Sequence, residues 1–370
     1  MIPVNAFTLG AEEEQMLLEC IKTNWISSEG PFVKEFEDAF AALHGRKFGI
    51  AVANGTAALD IALRTLALKP TDEVILPTFT IISPASAILH TGAKMVLVDV
   101  CPDTWNMAVE NLEAALTPNT KAIVPVHIYG LPVNMQPLMD FADKHNLWVV
   151  EDAAEMIGQT AYSKPCGSFG DLSTFSFYPN KHITTGEGGM ILTDNEELAK
   201  KCAYYRNLCF NPSGRRFVHE EIGWNYRMTN LQAALGLAQL GKLRQNVARK
   251  REIGALYHHL LHIDHAAQLP LKQTAYAQNI YWVFGIVLKE QAPYSAENLA
   301  LKLLEKGIQT RPFFWCLHEQ PVFRKMGLFE GQKFPNAENI ARNGLYLPSG
   351  LGTTNAQIAY VAQTLNELLA

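Results

Sequence analysis

The sequence lacks both glycine signatures that most often hold a nucleotide, GxGxxG and GxxxxGK[ST], so neither a nicotinamide site nor a P-loop has a fingerprint to rest on. HExxH-like spacing is absent too, which leaves His127 and His182 as packing or hydrogen-bonding residues and implies no metal. The six cysteines (Cys20, Cys101, Cys166, Cys202, Cys209, Cys316) include no CxxC pair; neither a disulfide framework nor a thiolate zinc site is indicated, and reduced packing thiols are expected. No apolar run is long enough to span a bilayer, and MIPVNAFTLGAEEEQ has no basic segment followed by an apolar core, so a cytoplasmic protein without membrane contact is expected. Basic residues are not in excess: 31 Lys and Arg stand against 36 Asp and Glu, a net charge of -5. That balance argues against a nucleic-acid partner and for a small one. Internal repeats and low-complexity tracts are missing as well.

What is present is an alternation of short apolar runs with helical patterns, the mark of an α/β protein with a mostly parallel sheet. Strands are expected at Phe48 to Ala53, Val74 to Leu76, Met95 to Val98, Ala122 to Val126, Leu147 to Glu151, Ser173 to Phe177 and Met190 to Thr193. Helical spacing marks Phe32 to Leu43, Ala58 to Leu66, Glu196 to Arg206 and one long segment from Asn230 to about Leu256. Lys242, Arg244, Arg249, Lys250 and Arg251 read as the solvated face of that helix. Beyond it, Ile280 to Leu288 reads as a strand, Ala296 to Lys306 as a helix ended by Gly307, and Asn355 to Leu369 as a terminal helix. A large domain over 1–240 and a smaller α/β domain over 241–370 are expected.

Three stretches carry chemistry. Asn54-Gly55-Thr56 follows the first strand and opens a helix; glycine allows close approach, the helix start offers unpaired amides, and Thr56 adds a hydroxyl, which together suit a phosphate. The same three residues also serve as a plain helix cap. Glu151 and Asp152 end a very apolar strand, where α/β folds present ligand-binding groups, and a carboxylate there needs a cationic partner. Lys181 follows the strand Ser173 to Phe177 and precedes Gly186-Glu187-Gly188-Gly189, so a strand edge delivers one amine into a glycine-lined space. Singly, each has a bland reading: a capping Asp, a surface Lys, an ordinary strand Ser at Ser176. Together and in this order they are the three anchors of pyridoxal 5'-phosphate: phosphate donors, an anion for the pyridinium nitrogen, and an amine for the aldehyde.

The chain resembles the nucleotide-sugar aminotransferases of the DegT type, which belong to fold type I of the pyridoxal phosphate enzymes. The motifs that carry the resemblance run from Trp25-Ile26-Ser27-Ser28 through Asn54 to Leu59, Pro77-Thr78-Phe79-Thr80, Pro125 to Gly130, Glu151 to Glu155, Phe175-Ser176-Phe177, Lys181 with Gly186 to Gly189, and Gly223 to Ala234, to Arg311-Pro312-Phe313-Phe314. The resemblance implies a large domain with a seven-stranded, mostly parallel sheet flanked by helices. It implies Lys181 as the Schiff-base lysine and Asp152 as the partner of the ring nitrogen. Glu155 would reach toward the ring hydroxyl or the substrate, and Gly55, Thr56 and Ser176 would contact the phosphate. Asn225 would reach the phosphate of a second subunit in a homodimer with shared sites. Trp25, Ser27, Arg311 and His318 fall in segments used near the substrate, while Phe313, Phe314 and Trp315 read as core. Ile81 is a departure, standing where relatives often place an aromatic ring on the cofactor face; the missing ring-on-ring contact is worth about 0.5–1.5 kcal/mol.

Within the group, the motifs look most similar to those of enzymes that aminate C4 of a GDP-4-keto-6-deoxy sugar, giving GDP-perosamine for O-antigen synthesis, with L-glutamate as donor. The dTDP-4-keto-6-deoxyglucose acceptor is the alternative. Three other readings compete: a sugar dehydratase of the same fold, which the resemblance would give a histidine at Lys181; a nicotinamide oxidoreductase, which lacks its fingerprint; and a silent protein of the fold that only binds a sugar nucleotide.

Overall fold

The structure is a computed structural model that describes residues 1–211 and 213–370. In chain order its strands are β1 (Phe48–Val52), β2 (Glu73–Pro77), β3 (Lys94–Val98), β4 (Thr120–Ile123), β5 (Trp148–Asp152), the short pair β6 (Thr160–Ala161) and β7 (Lys164–Pro165), β8 (Leu172–Ser176), β9 (Gly189–Thr193), β10 (Ala267–Gln268), β11 (Phe284–Leu288), β12 (Arg311–Pro312) and β13 (Gly344–Leu347). Seven of them form one sheet in the order β1-β9-β8-β5-β4-β2-β3. It is parallel except at β9, which pairs antiparallel with both β1 and β8. Every residue of β9 is buried. Each of the seven expected strand segments becomes one of these strands, because helices cover the sheet and its strands read as short continuous apolar runs.

The helix Gly55–Thr65 follows β1 directly. Asn54 caps it, its side chain accepting from the Ala57 amide at 2.8 Å, and the helix packs on β8 and β9 with Ala57 to Leu63 buried. Thr229 and Gln232 form a capping box that starts the helix Asn230–Gly241. The expected long helix is two: it breaks at Lys242 and resumes as Leu243–Leu260. Glycine at 241 is the signal, since it is the poorest ordinary helix former.

A second, antiparallel sheet has the order β10-β11-β13-β12. With the helices Leu243–Leu260, Ala296–Glu305 and Asn355–Leu369 it encloses a core containing Tyr257, Phe284, Leu299 and Leu365. Of the expected strand Ile280 to Leu288, only Phe284–Leu288 is extended; the Asn279 side chain takes the Tyr281 amide at 2.6 Å, and Tyr281 sits at φ 48. One hydrophobic cluster joins the two sheets, with Trp105, Tyr129, Trp282 and Phe313 among its members. All six cysteines are free, five of them buried. No helix among the described residues is long and apolar enough to cross a membrane, and no group of three or more His, Cys, Asp or Glu is arranged to hold a metal.

Candidate active site

The carboxyl ends of β1, β5 and β8 open into a cavity of about 620 Å³. This is the edge at which open α/β sheets present ligand-binding groups, and the volume is in the range of small-molecule sites. Its lining includes Gly55, Thr56, Ile81, Asp152, Glu155, Ser176 and Lys181, so seven residues from distant parts of the sequence meet in one space. Tyr346 of β13, with Trp282 just before β11 and Phe314 just after β12, also lines the cavity.

Lys181 sits in the turn after β8, its amide donating to the Tyr178 carbonyl at 2.9 Å. Its Nζ lies 4.0 Å from the centroid of the Trp282 ring. Burial lowers the pKa of this ammonium, and the nearby charges of Glu155 and Asp152 oppose the shift. Asp152 ends β5 with Oδ1 accepting the Ala154 amide at 3.1 Å; burial raises its pKa, with that amide and Lys181 acting against it. Glu155 accepts the Tyr129 amide at 2.6 Å, and burial pushes its pKa up to about 8 against the pull of Lys181.

The neighbouring Glu151 points to the opposite face of the strand, as alternation requires. It is fully buried, and burial would raise its pKa. Hydrogen bonds from His127 at 2.9 Å and from the amides of Gly167 and Phe169 outweigh that and hold it below the usual carboxylate range. His127 Nδ1 accepts the Val133 amide at 3.0 Å, which leaves the proton on Nε2 for Glu151. His127 lines the cavity with both nitrogens already used, so it shapes the wall rather than moving protons there.

The end of the cavity beside the start of the helix Gly55–Thr65 has a distinct geometry. A Cβ at Gly55 would lie 2.8 Å from Ser176 Cβ, so glycine is what lets β8 meet the helix start. The amides of Gly55 and Thr56 open the helix and have no earlier helical carbonyl to pair with. Thr56 and Ser83 hydroxyls stand 2.9 Å apart beside them. Three further buried polar atoms in residues of the lining, Thr80 Oγ1, Thr174 Oγ1 and Asn180 Oδ1, have no partner among the described residues. Buried polar atoms left unpaired are costly, and a polar ligand satisfies such groups. A phosphate-bearing pyridine aldehyde fits this set: anion donors at one end, Asp152 for a ring nitrogen, and Lys181 for a carbonyl carbon.

The family model of the DegT/DnrJ/EryC1/StrS aminotransferases matches residues 8–366. The chain belongs to that aminotransferase family. It is accordingly an aminotransferase with pyridoxal 5'-phosphate as cofactor, and the cavity carries groups that fit it. The chain is 39% identical over 366 residues to the GDP-perosamine synthase of Escherichia coli O157:H7, covering 99% of this chain and 98% of that one. It is 41% identical over 369 residues to the GDP-perosamine synthase of Caulobacter vibrioides, covering 100% and 98%. Among solved structures, DesV of S. venezuelae superposes with a TM-score of 0.87 at 31% identity, covering 96% of this chain and 94% of that one. PseC of Helicobacter pylori gives a TM-score of 0.94 at 22% identity, covering 100% and 99%, a likeness of fold.

Other aminotransferase residues singled out in the sequence lie outside the lining. Asn225 is exposed in an extended stretch that bridges Asn207. Trp25 and Ser27 are exposed, and their carbonyls accept from the side chain and amide of Asn230 at 2.7 and 3.0 Å, which ties them to the start of a helix. Arg311 is exposed opposite Tyr346 in the β12/β13 register. His318 is buried, with Nδ1 2.8 Å from Thr78 Oγ1 and Nε2 3.2 Å from Glu338, so both nitrogens brace protein groups. Phe313 is core, but Phe314 lines the cavity and Trp315 is exposed. Lys250, read as solvated, is fully buried. Sequence reasoning missed Trp282, Tyr346 and Thr80; Thr80 stood in a quoted motif, while an aromatic in an apolar run carries no sign of facing a cavity.

Proposed function

We propose that this enzyme transfers an amino group from L-glutamate to the C4 ketone of a GDP-linked 4-keto-6-deoxy sugar, giving GDP-perosamine. The observation that carries the reading is the Lys181 amine, set between Asp152, Glu155 and the Trp282 ring in a cavity with a phosphate-shaped end. The acceptor is supported by the relatives named GDP-perosamine synthase, each matched over nearly its whole length.

When bound, pyridoxal phosphate supplies the carbon that carries the amino group and a ring that withdraws electrons from the carbon losing its proton. Asp152 would hold the ring nitrogen protonated. Gly55, Thr56 and Ser176 would seat the phosphate, and Ile81 would pack against the ring. Lys181 would take the proton from the donor α-carbon as base and return it as acid. Its lowered pKa enlarges the neutral fraction that this requires. Glu155, with a pKa near 8, is protonated around neutrality and donates a hydrogen bond to a ring or substrate oxygen. Trp282, Phe314 and Tyr346 wall the site. Glutamate would leave as 2-oxoglutarate with one water consumed, and in the second half Lys181 would move the corresponding proton in the reverse sense while the sugar ketone becomes an amine and one water is released.

Arg311 gathers the substrate diphosphate, since a guanidinium pairs with phosphate in a two-pronged geometry. Asn225 of a second copy completes each site in a homodimer, the large domain ending near residue 240. The free thiols accord with a cytoplasmic setting. Incubating the enzyme and glutamate with GDP-4-keto-6-deoxymannose or dTDP-4-keto-6-deoxyglucose, with NMR of each product, tests the reading. Nitrogen at C4 of the GDP sugar supports it. Preference for the dTDP sugar, or nitrogen at another carbon, overturns the acceptor assignment.

A further inference from the structure

The helix Leu243–Leu260 presents Asn246, Lys250 and Gly254 four residues apart, hence stacked on one face. Each of the three meets a segment bordering Lys181. Asn246 Nδ2 donates to the carbonyl of His182, the residue after Lys181, at 2.8 Å. Lys250 Nζ donates to the carbonyl of Trp282 at 2.8 Å and to that of Ser349 at 2.6 Å. At Gly254 a Cβ would come 2.3 Å from the Tyr281 ring, so the helix and the 281–282 segment touch backbone to ring.

Lys250 is only 2% exposed, and no carboxylate pairs with it among the described residues. Burial lowers its pKa to about 7. An amine in such a place is expensive, and an apolar side chain of similar length would fill the space at less cost. What it gains is a grip on two carbonyls. One belongs to Trp282, just after Tyr281 in its left-handed conformation at φ 48, a backbone state that persists only when its surroundings hold it. The indole is also tied, through Nε1, to the Asn180 carbonyl at 2.9 Å, beside Lys181.

We propose that Lys250 is a positioning residue for Lys181, acting through the Trp282 carbonyl to hold the indole against the reactive amine. This rests on Lys181 being the amine that carries the cofactor. The test uses the holoenzyme and Lys250→Met, Trp282→Phe, the double variant, and Tyr257→Phe as control; Tyr257 gives the same helix a donor to the Pro348 carbonyl at 2.7 Å without touching Trp282. Two readouts are taken: the kcat and KM for each substrate, and the pH midpoint of the visible cofactor absorption. Lys250→Met lowers kcat by between about twofold and thirtyfold, the span of a cation–ring contact, with KM values little changed. It moves the pH midpoint in the same direction as Trp282→Phe and has no further effect in the Trp282→Phe background. Additive effects in the double variant, an unmoved midpoint, or an equal shift in Tyr257→Phe overturns the proposal. If Lys250→Met does not fold, Lys250→Gln, too short to span both carbonyls, takes its place with the same outcomes. A wild-type enzyme without a visible cofactor band that borohydride bleaches would overturn the Lys181 assignment instead.

Discussion

Replacing Gly55 by alanine probes the phosphate end of the cavity with a single methyl group. That methyl would lie 2.8 Å from Ser176 Cβ and 3.3 Å from its hydroxyl oxygen, about 1 Å inside an ordinary carbon–carbon contact. Ser176 cannot retreat cheaply, because β8 is held on both sides and Ser176 is itself in register with Gly189. The helix start must give way, which carries the Gly55 and Thr56 amides off the phosphate. Inserting a methyl into a filled space costs about 1–3 kcal/mol. Taken from binding, that raises the dissociation constant for pyridoxal phosphate by about fivefold to 150-fold. Titration of the cofactor-free protein, followed by absorbance, reads it directly. Gly45→Ala is the control: Gly45 has φ 65 and no atom near its Cβ position, so alanine there costs some stability through backbone strain and leaves cofactor affinity alone. Unchanged affinity in Gly55→Ala would refute the cradle.

Three further outcomes are expected. Glu155 is raised to about 8 in the fold, from an ordinary 4.5, so the folded state holds this proton more tightly; the cofactor-free protein is favoured below the ordinary value and loses that stability as pH rises through about 8, a slope in thermal midpoint that Glu155→Gln should flatten. Mixing Asn225→Ala subunits with Lys181→Ala subunits should restore one intact site per mixed dimer, and no recovered activity despite proven exchange counts against shared sites. Arg311→Ala should raise the KM for the sugar nucleotide far more than that for glutamate, whereas equal effects would make the residue structural.

Much of this site is legible in the sequence because its anchors sit at strand ends. Asn54-Gly55-Thr56, Asp152 and Lys181 each follow a short apolar run, and the sheet brings the carboxyl ends of such runs together. The walls are not legible in the same way. Trp282 lies in a run of apolar residues whose first half leaves the strand because Asn279 captures the Tyr281 amide, an event with no periodic signature. Lys250 shows the limit of charge patterning: flanked by Arg249 and Arg251 it reads as solvated, and only the folded chain shows the two carbonyls that hold it. His318 stands near a substrate motif, yet Thr78 and Glu338 take up both its nitrogens. Asn225 is exposed in the single chain, and the role proposed for it requires a second copy.

In the proposed reaction Lys181 carries the cofactor. Borohydride reduction of the holoenzyme, followed by proteolysis and mass spectrometry, tests it most directly. The pyridoxyl mass is expected on the peptide containing Lys181, and its loss when glutamate is added before the borohydride. Modification at another lysine, with Lys181 unlabelled, would contradict it.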